Sequence, residues 1–118
     1  EVMALQTLTY TFPGKTGCTI KKEWSHTGVV GSGDLEILLE QKAQAGAVSV
    51  QVVTPVHGFE YIWEAVLKDF VEENQIGDLA VSINDNNATP FVVSLRLKQA
   101  LREAGIPEIF LEREGEKT

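Results

Sequence analysis

Alternation of apolar and polar residues marks three stretches in the first half of the chain. From Met3 to Phe12, apolar side chains alternate with threonines, and the same two-residue period recurs over Leu35–Glu40 and Val48–Val53. A two-residue period places one side of a strand against a core and leaves the other side in water. The sequence therefore predicts three half-buried strands, and short links favour an antiparallel meander.

A different period, with apolar residues three and four positions apart, follows in the second half of the chain. It extends from Phe59 to Phe70 and again from Val93 to Ala104. This is the spacing of the apolar face of a helix. The second helix also has start signals, because Thr89 can cap its N-terminus and Pro90 suits its first position. The sequence therefore predicts two amphipathic helices.

The remaining elements complete the fold prediction. Gly77 is expected to end the first helix, and alternation at Leu79, Val81 and Ile83 predicts a fourth strand before the second helix. The predicted order is β-β-β-α-β-α. Because each strand has one apolar face, we expect an α+β fold, a two-layer α/β sandwich with a four-stranded sheet and two helices on one face.

Length and composition indicate a single domain that spans residues 1–118. A chain of 118 residues, 43% of them hydrophobic, can bury one modest core. Residues 13–28 are polar and rich in glycine, which predicts a loop. Residues 107–118 are mostly charged, and this tail is expected to fray.

Charge and residue types exclude several classes of function. The net charge of −7 argues against binding to a nucleic-acid backbone and favours basic surfaces on protein partners. Cys18 is the single cysteine, and His26 and His57 lack the spacing of a metal site, so no disulfide or metal cluster is expected. The sequence has no apolar run of roughly 20 residues and no basic-then-apolar leader. A cytoplasmic protein is therefore expected.

The segment Gly31-Ser32-Gly33-Asp34 is the strongest candidate for a functional site. Its simplest interpretation is a tight turn into the strand that begins at Leu35. The alternative is a modification site, because the flanking glycines leave the serine hydroxyl open to another enzyme. The sequence shows no histidine placed to act as a base for Ser32. A serine that carries a group therefore suits this small acidic chain better than a catalytic serine.

Two further features bear on the site. Asp85-Asn86-Asn87 precedes the second helix, and such side chains bond nearby backbone, which predicts a turn. Because site loops often gather at one end of a sheet, we expect this turn to lie near Ser32. Trp24, in the predicted loop, has two open interpretations, an exposed contact for a partner or local packing.

Three segments together resemble a known family. These are GVVGSGDLEILLE, VSVQVVTPVHG and INDNNATPFVVSLRLKQALREAG, which includes Ala-Thr-Pro at residues 88–90 and Arg-Leu-x-x-Ala-Leu at residues 96–101. In this order they resemble the modification segment, the following strand and the C-terminal segment of the malonate decarboxylase acyl carrier, or delta, subunit. The resemblance covers about residues 4–105. It is far more specific than Gly-Ser-Gly-Asp alone.

The resemblance implies a carrier without catalytic residues of its own. In that family the serine that matches Ser32 carries 2′-(5″-phosphoribosyl)-3′-dephospho-coenzyme A through a phosphodiester, and the terminal thiol holds acetyl or malonyl groups. Gly31, Gly33 and Asp34 would then form the supporting turn. The implied partners are the acyl transferase and decarboxylase subunits and the transferase that attaches the prosthetic group.

Two other functions stay open. The gamma chain of citrate lyase carries the same kind of group and has a distantly similar C-terminal segment, although Gly-Ser-Gly-Asp favours malonate decarboxylase. A β-rich two-layer domain of this length is also compatible with a regulatory small-molecule-binding module. The mass of the protein from its native host distinguishes a carrier from such a module, because only a carrier gains the prosthetic group.

Overall fold

The computed structural model describes residues 4–105, which form five strands and two helices. No helix within these residues is both long enough and apolar enough to cross a membrane. The predicted frayed tail, residues 107–118, lies outside the described residues. In chain order the elements are β1 (Gln6–Phe12), β2 (Trp24–Gly28), β3 (Asp34–Gln41), β4 (Val48–Thr54), α1 (Glu60–Asn74), β5 (Leu79–Asn86) and α2 (Pro90–Ala104).

The strands form one mixed sheet with the order β1-β4-β5-β3-β2. β4 and β5 are parallel and are connected through α1, whereas the other neighbouring pairs are antiparallel. The predicted meander is therefore wrong, because β5 lies between β3 and β4. The link between β3 and β4, residues 42–47, is short enough for a hairpin, but β5 is brought between these strands by the crossover through α1.

The predicted four-stranded sheet is also wrong, because β2 adds a fifth strand inside the predicted loop of residues 13–28. β2 pairs with β3 at the edge of the sheet. Its inward side chains are Ser25 and Thr27, which are 8% and 3% exposed, while Trp24 is 62% exposed. In β2 the inward residues are therefore polar and the tryptophan lies outside, so a search for strands with inward apolar residues misses β2.

Both helices pack on the same face of the sheet and share one core with it. α2 begins as predicted, with the Thr89 hydroxyl oxygen accepting a hydrogen bond from the Val92 amide at 3.3 Å. α1 ends earlier than predicted, at Asn74, because Gln75 adopts a left-handed conformation with φ of 51°. The buried helix residues are Trp63, Leu67, Phe70, Val71, Val93, Leu97, Ala100, Leu101 and Ala104.

One edge of the sheet collects the segments that matter for function. The C-terminal ends of β4 and β5 lie there, because these strands are parallel, and the antiparallel β3 begins there. α1 and α2 both start shortly after the strands that end at this edge. We call it the site edge.

Candidate functional site

Ser32 lies at the site edge in a tight turn that leads into β3. The Asp34 amide donates a hydrogen bond to the Gly31 carbonyl oxygen at 3.0 Å, which closes a four-residue turn. Gly33 has φ of 73°, as the third residue of a type II turn requires. Ser32 is exposed. The turn therefore holds the serine side chain outside the sheet.

The turn is bonded directly to the end of β5. The Gly33 amide donates a hydrogen bond to the Asn86 carbonyl oxygen at 2.8 Å, and Asp34 pairs with Asn86 across the β3–β5 ladder. The segment Asp85-Asn86-Asn87 thus lies beside the Ser32 turn. All seven residues singled out as site candidates in the sequence meet at the site edge: Gly31, Ser32, Gly33, Asp34, Asp85, Asn86 and Asn87.

Asp34 connects the turn to α2 through a bidentate ion pair. Arg96 Nε donates to Asp34 Oδ1 at 2.9 Å, and Arg96 Nη2 donates to Asp34 Oδ2 at 2.7 Å. The Leu35 amide also donates to Asp34 Oδ1 at 2.8 Å. The Arg96 guanidinium, followed by the Leu35 amide, lowers the pKa of Asp34 from its ordinary 3.8 to about 2. The Asp34 side chain is therefore held as a carboxylate, and its ion pair with Arg96 attaches the start of β3 to α2.

Sequence reasoning assigned no role to Arg96. It is half-buried on α2, separated from Asp34 by 62 positions in the chain, and its Nη1 also donates to Gln99 Oε1 at 2.7 Å. A polar residue on a helix gives no signal of a partner at this separation. A pattern of apolar positions identifies the buried face of α2 but not the ion pair beside it.

Asp85 organises the loop that connects β5 to α2. Its Oδ2 accepts hydrogen bonds from the Thr54 hydroxyl at 2.8 Å and from the Asn87 amide at 3.2 Å, and its Oδ1 accepts one from the Ala88 amide at 3.0 Å. Thr54 Oγ1 in turn accepts a hydrogen bond from the Val56 amide at 3.1 Å. Asp85 is only 6% exposed. This buried carboxylate therefore joins the ends of β4 and β5.

Another polar cluster lies on the helix-free face of the sheet. Glu36 contacts His26 Nε2 at 2.8 Å and accepts a hydrogen bond from Asn84 Nδ2 at 2.8 Å. The hydrogen bond with His26, followed by that from Asn84, lowers the pKa of Glu36. The two acids near the start of β3 are thus separately paired. They do not form a catalytic carboxylate pair.

The serine hydroxyl has no acid–base partner within residues 4–105. His26 bonds Glu36, and His57 Nε2 contacts the Ala4 carbonyl oxygen at 2.9 Å, so neither imidazole bonds Ser32. In the same part of the chain, no three His, Cys, Asp or Glu side chains are grouped as metal ligands would be.

Comparison with known proteins identifies the family. A family model described as malonate decarboxylase delta subunit (MdcD) matches residues 22–104. The chain belongs to this family. The match includes the Ser32 turn, β5 and α2. Of the three segments that resemble the family, it covers residues 28–40 and 48–58 completely and all but the last residue of 83–105. The resemblance inferred from the sequence is confirmed.

Relatives and a solved structure agree with the family model. The malonate decarboxylase acyl carrier protein of Malonomonas rubra is 48% identical over 100 residues, which are 85% of this chain and 89% of that protein. The protein of the same description from Xanthomonas campestris pv. campestris (strain B100) is 45% identical over 97 residues, 82% and 92% of the two chains. A chain in the crystal structure of a Pseudomonas malonate decarboxylase hetero-tetramer in complex with malonate is 40% identical. It aligns over 85% of this chain and 99% of that chain with a TM-score of 0.73.

Proposed function

We propose that this chain is an acyl carrier of malonate decarboxylase and that Ser32 carries its prosthetic group. The carrier function follows from membership of the delta subunit family. One observation supports Ser32 as the attachment point above the others. Of the five serines in the chain, which are residues 25, 32, 49, 82 and 94, Ser32 alone is exposed.

The surroundings of Ser32 fit a bulky group linked through a phosphodiester. A Cβ at Gly33 would meet no heavy atom within 4 Å, and at Gly31 the nearest would be Val29 Cγ2 at 3.9 Å. The adjacent Asp34 carboxylate is already paired with Arg96. A phosphodiester on Ser32 would therefore have room and would not face an unpaired Asp34. These residues suit 2′-(5″-phosphoribosyl)-3′-dephospho-coenzyme A.

The residues of this chain would contribute position and recognition to the reaction. When bound, the group supplies a thiol whose acyl thioester stabilises the carbanion left by loss of CO₂ better than a free carboxylate does. The Ser32 turn fixes where that group is attached, and attachment keeps the acyl chain at high effective concentration near partner sites. On this proposal the catalytic steps belong to the partner subunits, and this chain holds the group that they act on.

The proposed partners are the acyl transferase and decarboxylase subunits and the transferase that attaches the group. A related Pseudomonas protein is part of a malonate decarboxylase hetero-tetramer, which supports assembly with other subunits. The cytoplasmic location expected from the sequence stays a prediction. Both alternative functions are disfavoured, since the family match is to malonate decarboxylase rather than to the citrate lyase gamma chain or a regulatory module.

Replacement of Ser32 tests the attachment site. The Ser32→Ala protein is incubated with the prosthetic-group transferase and its activated precursor, and its intact mass is then measured. We expect no added mass, because the phosphodiester cannot form without the serine oxygen. An exposed turn serine supplies at most one local hydrogen bond, so the substitution should cost no more than about 1 kcal/mol of stability.

Thr16→Ala is the matched control for this experiment. Thr16 is also exposed and also lies in a turn, but it belongs to the segment between β1 and β2. The Thr16→Ala protein should gain the prosthetic-group mass as the wild type does. Added mass on Ser32→Ala would show that another residue accepts the group, and the assignment of Ser32 would then be wrong.

A further inference from the structure

An apolar cavity of about 270 Å³ lies between the first turns of α1 and α2. Its walls come from the residues that follow β4 and from those that follow β5. The exposure of the Ser32 hydroxyl does not depend on this cavity. Its lining includes Phe59, Ile62, Trp63, Asp85, Ala88 and Val93.

The cavity begins next to the Ser32 turn. Two of its lining residues, Asp85 and Asn87, flank Asn86 in the chain, and the Asn86 carbonyl oxygen bonds the Gly33 amide. Since β3 and β5 are neighbours, this wall lies about one strand spacing, roughly 5 Å, from the strand that follows the turn. An arm that includes dephospho-coenzyme A is much longer than this spacing. A group on Ser32 can therefore reach the cavity.

The size and surface of the cavity suit a small apolar group. Pockets for drug-sized ligands measure about 300–1,000 Å³, so this cavity suits a smaller occupant, such as an acetyl thioester and the end of its arm. Phe59 and Ile62 line it although they are 45% and 40% exposed, whereas Trp63 is 6% exposed. An apolar occupant would cover the exposed side chains at the opening and contact Trp63 inside.

Charge distinguishes the two acyl groups that the carrier would hold. Asp85 is the one acidic residue of the described lining, which contains no Lys, Arg or His. Its oxygens already accept three hydrogen bonds, and the side chain is 6% exposed. A malonyl thioester has a free carboxylate, which would enter this apolar space beside the Asp85 carboxylate, out of water and close to a like charge. An acetyl group brings none.

We propose that this cavity holds the acetyl thioester end of the group carried on Ser32 and excludes the malonyl form. The lining residues would shield the acetyl thioester from water between transfers. On the acyl transferase subunit, malonate would displace acetate from the thioester, and the resulting malonyl thioester would stay outside the cavity, available to the decarboxylase subunit. This inference rests on the proposed function, because it requires the prosthetic group on Ser32.

The test measures contact between the acyl group and the cavity in the full chain. Protein shown by mass to carry the prosthetic group is loaded with ¹³C-methyl acetyl or with ¹³C-methylene malonyl. Nuclear Overhauser contacts from the protons on the labelled carbon to Trp63 and Val93 protons are then recorded. We expect clear contacts in the acetyl form and, because a buried like charge disfavours binding, about tenfold lower occupancy in the malonyl form.

A pair of substitutions with the same chemistry locates the binding. Ala88→Leu adds three carbon atoms in the cavity wall and should remove the acetyl contacts. Ala65→Leu makes the same change on the exposed side of α1 and should retain them. The amide spectrum of each variant checks its fold. If Ala88→Leu does not fold, comparison of the acetyl and malonyl forms of the wild type decides alone.

Two results would overturn the inference while the proposed function stands. Absence of contacts in the acetyl form would show that the cavity does not hold the thioester. Equal contacts in both forms would show that Asp85 does not exclude malonyl. Failure of the chain to take up the prosthetic group would be seen earlier, by mass. That result would contradict the proposed function and the inference together.

Discussion

Replacing Thr54 with valine removes the hydrogen bond that joins β4 to the loop beside the Ser32 turn, together with a local bond to the segment that follows β4. Thr54 is 0% exposed. Its hydroxyl donates to Asp85 Oδ2 at 2.8 Å and accepts from the Val56 amide at 3.1 Å. Valine has nearly the same shape but can form neither bond. The expected effect is therefore a loss of hydrogen bonding at constant packing.

The magnitude follows from the two bonds and one compensating term. The bond to the Asp85 carboxylate contributes about 1.5–3 kcal/mol, and the bond from the Val56 amide about 0.5–1.5 kcal/mol. The additional buried methyl group of valine offsets about 0.8 kcal/mol. We expect the free energy of unfolding to fall by about 1–4 kcal/mol. Urea unfolding of the unmodified protein measures this change directly.

Thr9→Val is the matched control, because Thr9 also lies in a strand but its side chain is exposed on the helix-free face. Its free energy of unfolding should stay within about 0.5 kcal/mol of the wild type. Amide hydrogen exchange at Asn87 and Ala88 should accelerate only in Thr54→Val, since both amides bond the same carboxylate. A Thr54→Val protein as stable as Thr9→Val would refute the role given to this contact.

Two further predictions concern the Ser32 turn itself. In Arg96→Met, the pKa of Asp34 should rise from about 2 toward 3.8 in an NMR titration. A carboxyl group whose pKa is lowered by folding stabilises the fold while it is ionised. The free energy of unfolding of the wild type should therefore fall as Asp34 takes up its proton between about pH 4 and pH 2. In Arg96→Met this part of the fall should be absent. An unchanged Asp34 titration would contradict the ion pair. Gly33→Ala should destabilise the protein by about 1 kcal/mol in urea, through φ of 73° alone, since its Cβ would meet no atom within 4 Å. Gly28→Ala should cost more, because its Cβ would overlap the Leu35 carbonyl oxygen; equal losses would contradict this explanation.

Local sequence patterns predicted the elements whose inward residues are apolar. β3, β4 and β5 were found from their two-residue period, and α2 from its stripe together with Thr89 and Pro90. β2 was missed because Ser25 and Thr27 face the core. Such polar inward residues at a sheet edge have no signal in a search for apolar alternation.

The pairing of strands could not be predicted from these patterns. Alternation states which side of a strand is buried, but it does not state which strand lies beside it. β1 pairs with β4, and β3 with β5, across long separations in the chain. The choice among sheet orders depends on how all the apolar faces pack together, and the assumption of neighbouring pairs gave the wrong sheet.

The candidate site was predictable only where its residues have signals within one segment of the sequence. The Gly-Ser-Gly-Asp turn and the Asx turn at residues 85–87 have strong local signals, and both lie at the site edge. The Asp34–Arg96 pair and the cavity between α1 and α2 depend on tertiary packing. No spacing within one segment indicates them.

Attachment of the group to Ser32 is tested most directly by the mass of the chain purified from its native host, followed by fragmentation of its tryptic peptide of residues 23–42. This peptide contains three hydroxyl side chains, of which Ser25 and Thr27 are buried and Ser32 is exposed. We expect the added mass of a phosphoribosyl-dephospho-coenzyme A group, located on Ser32. An unmodified chain from cells that decarboxylate malonate, or the group on any other residue, would contradict it.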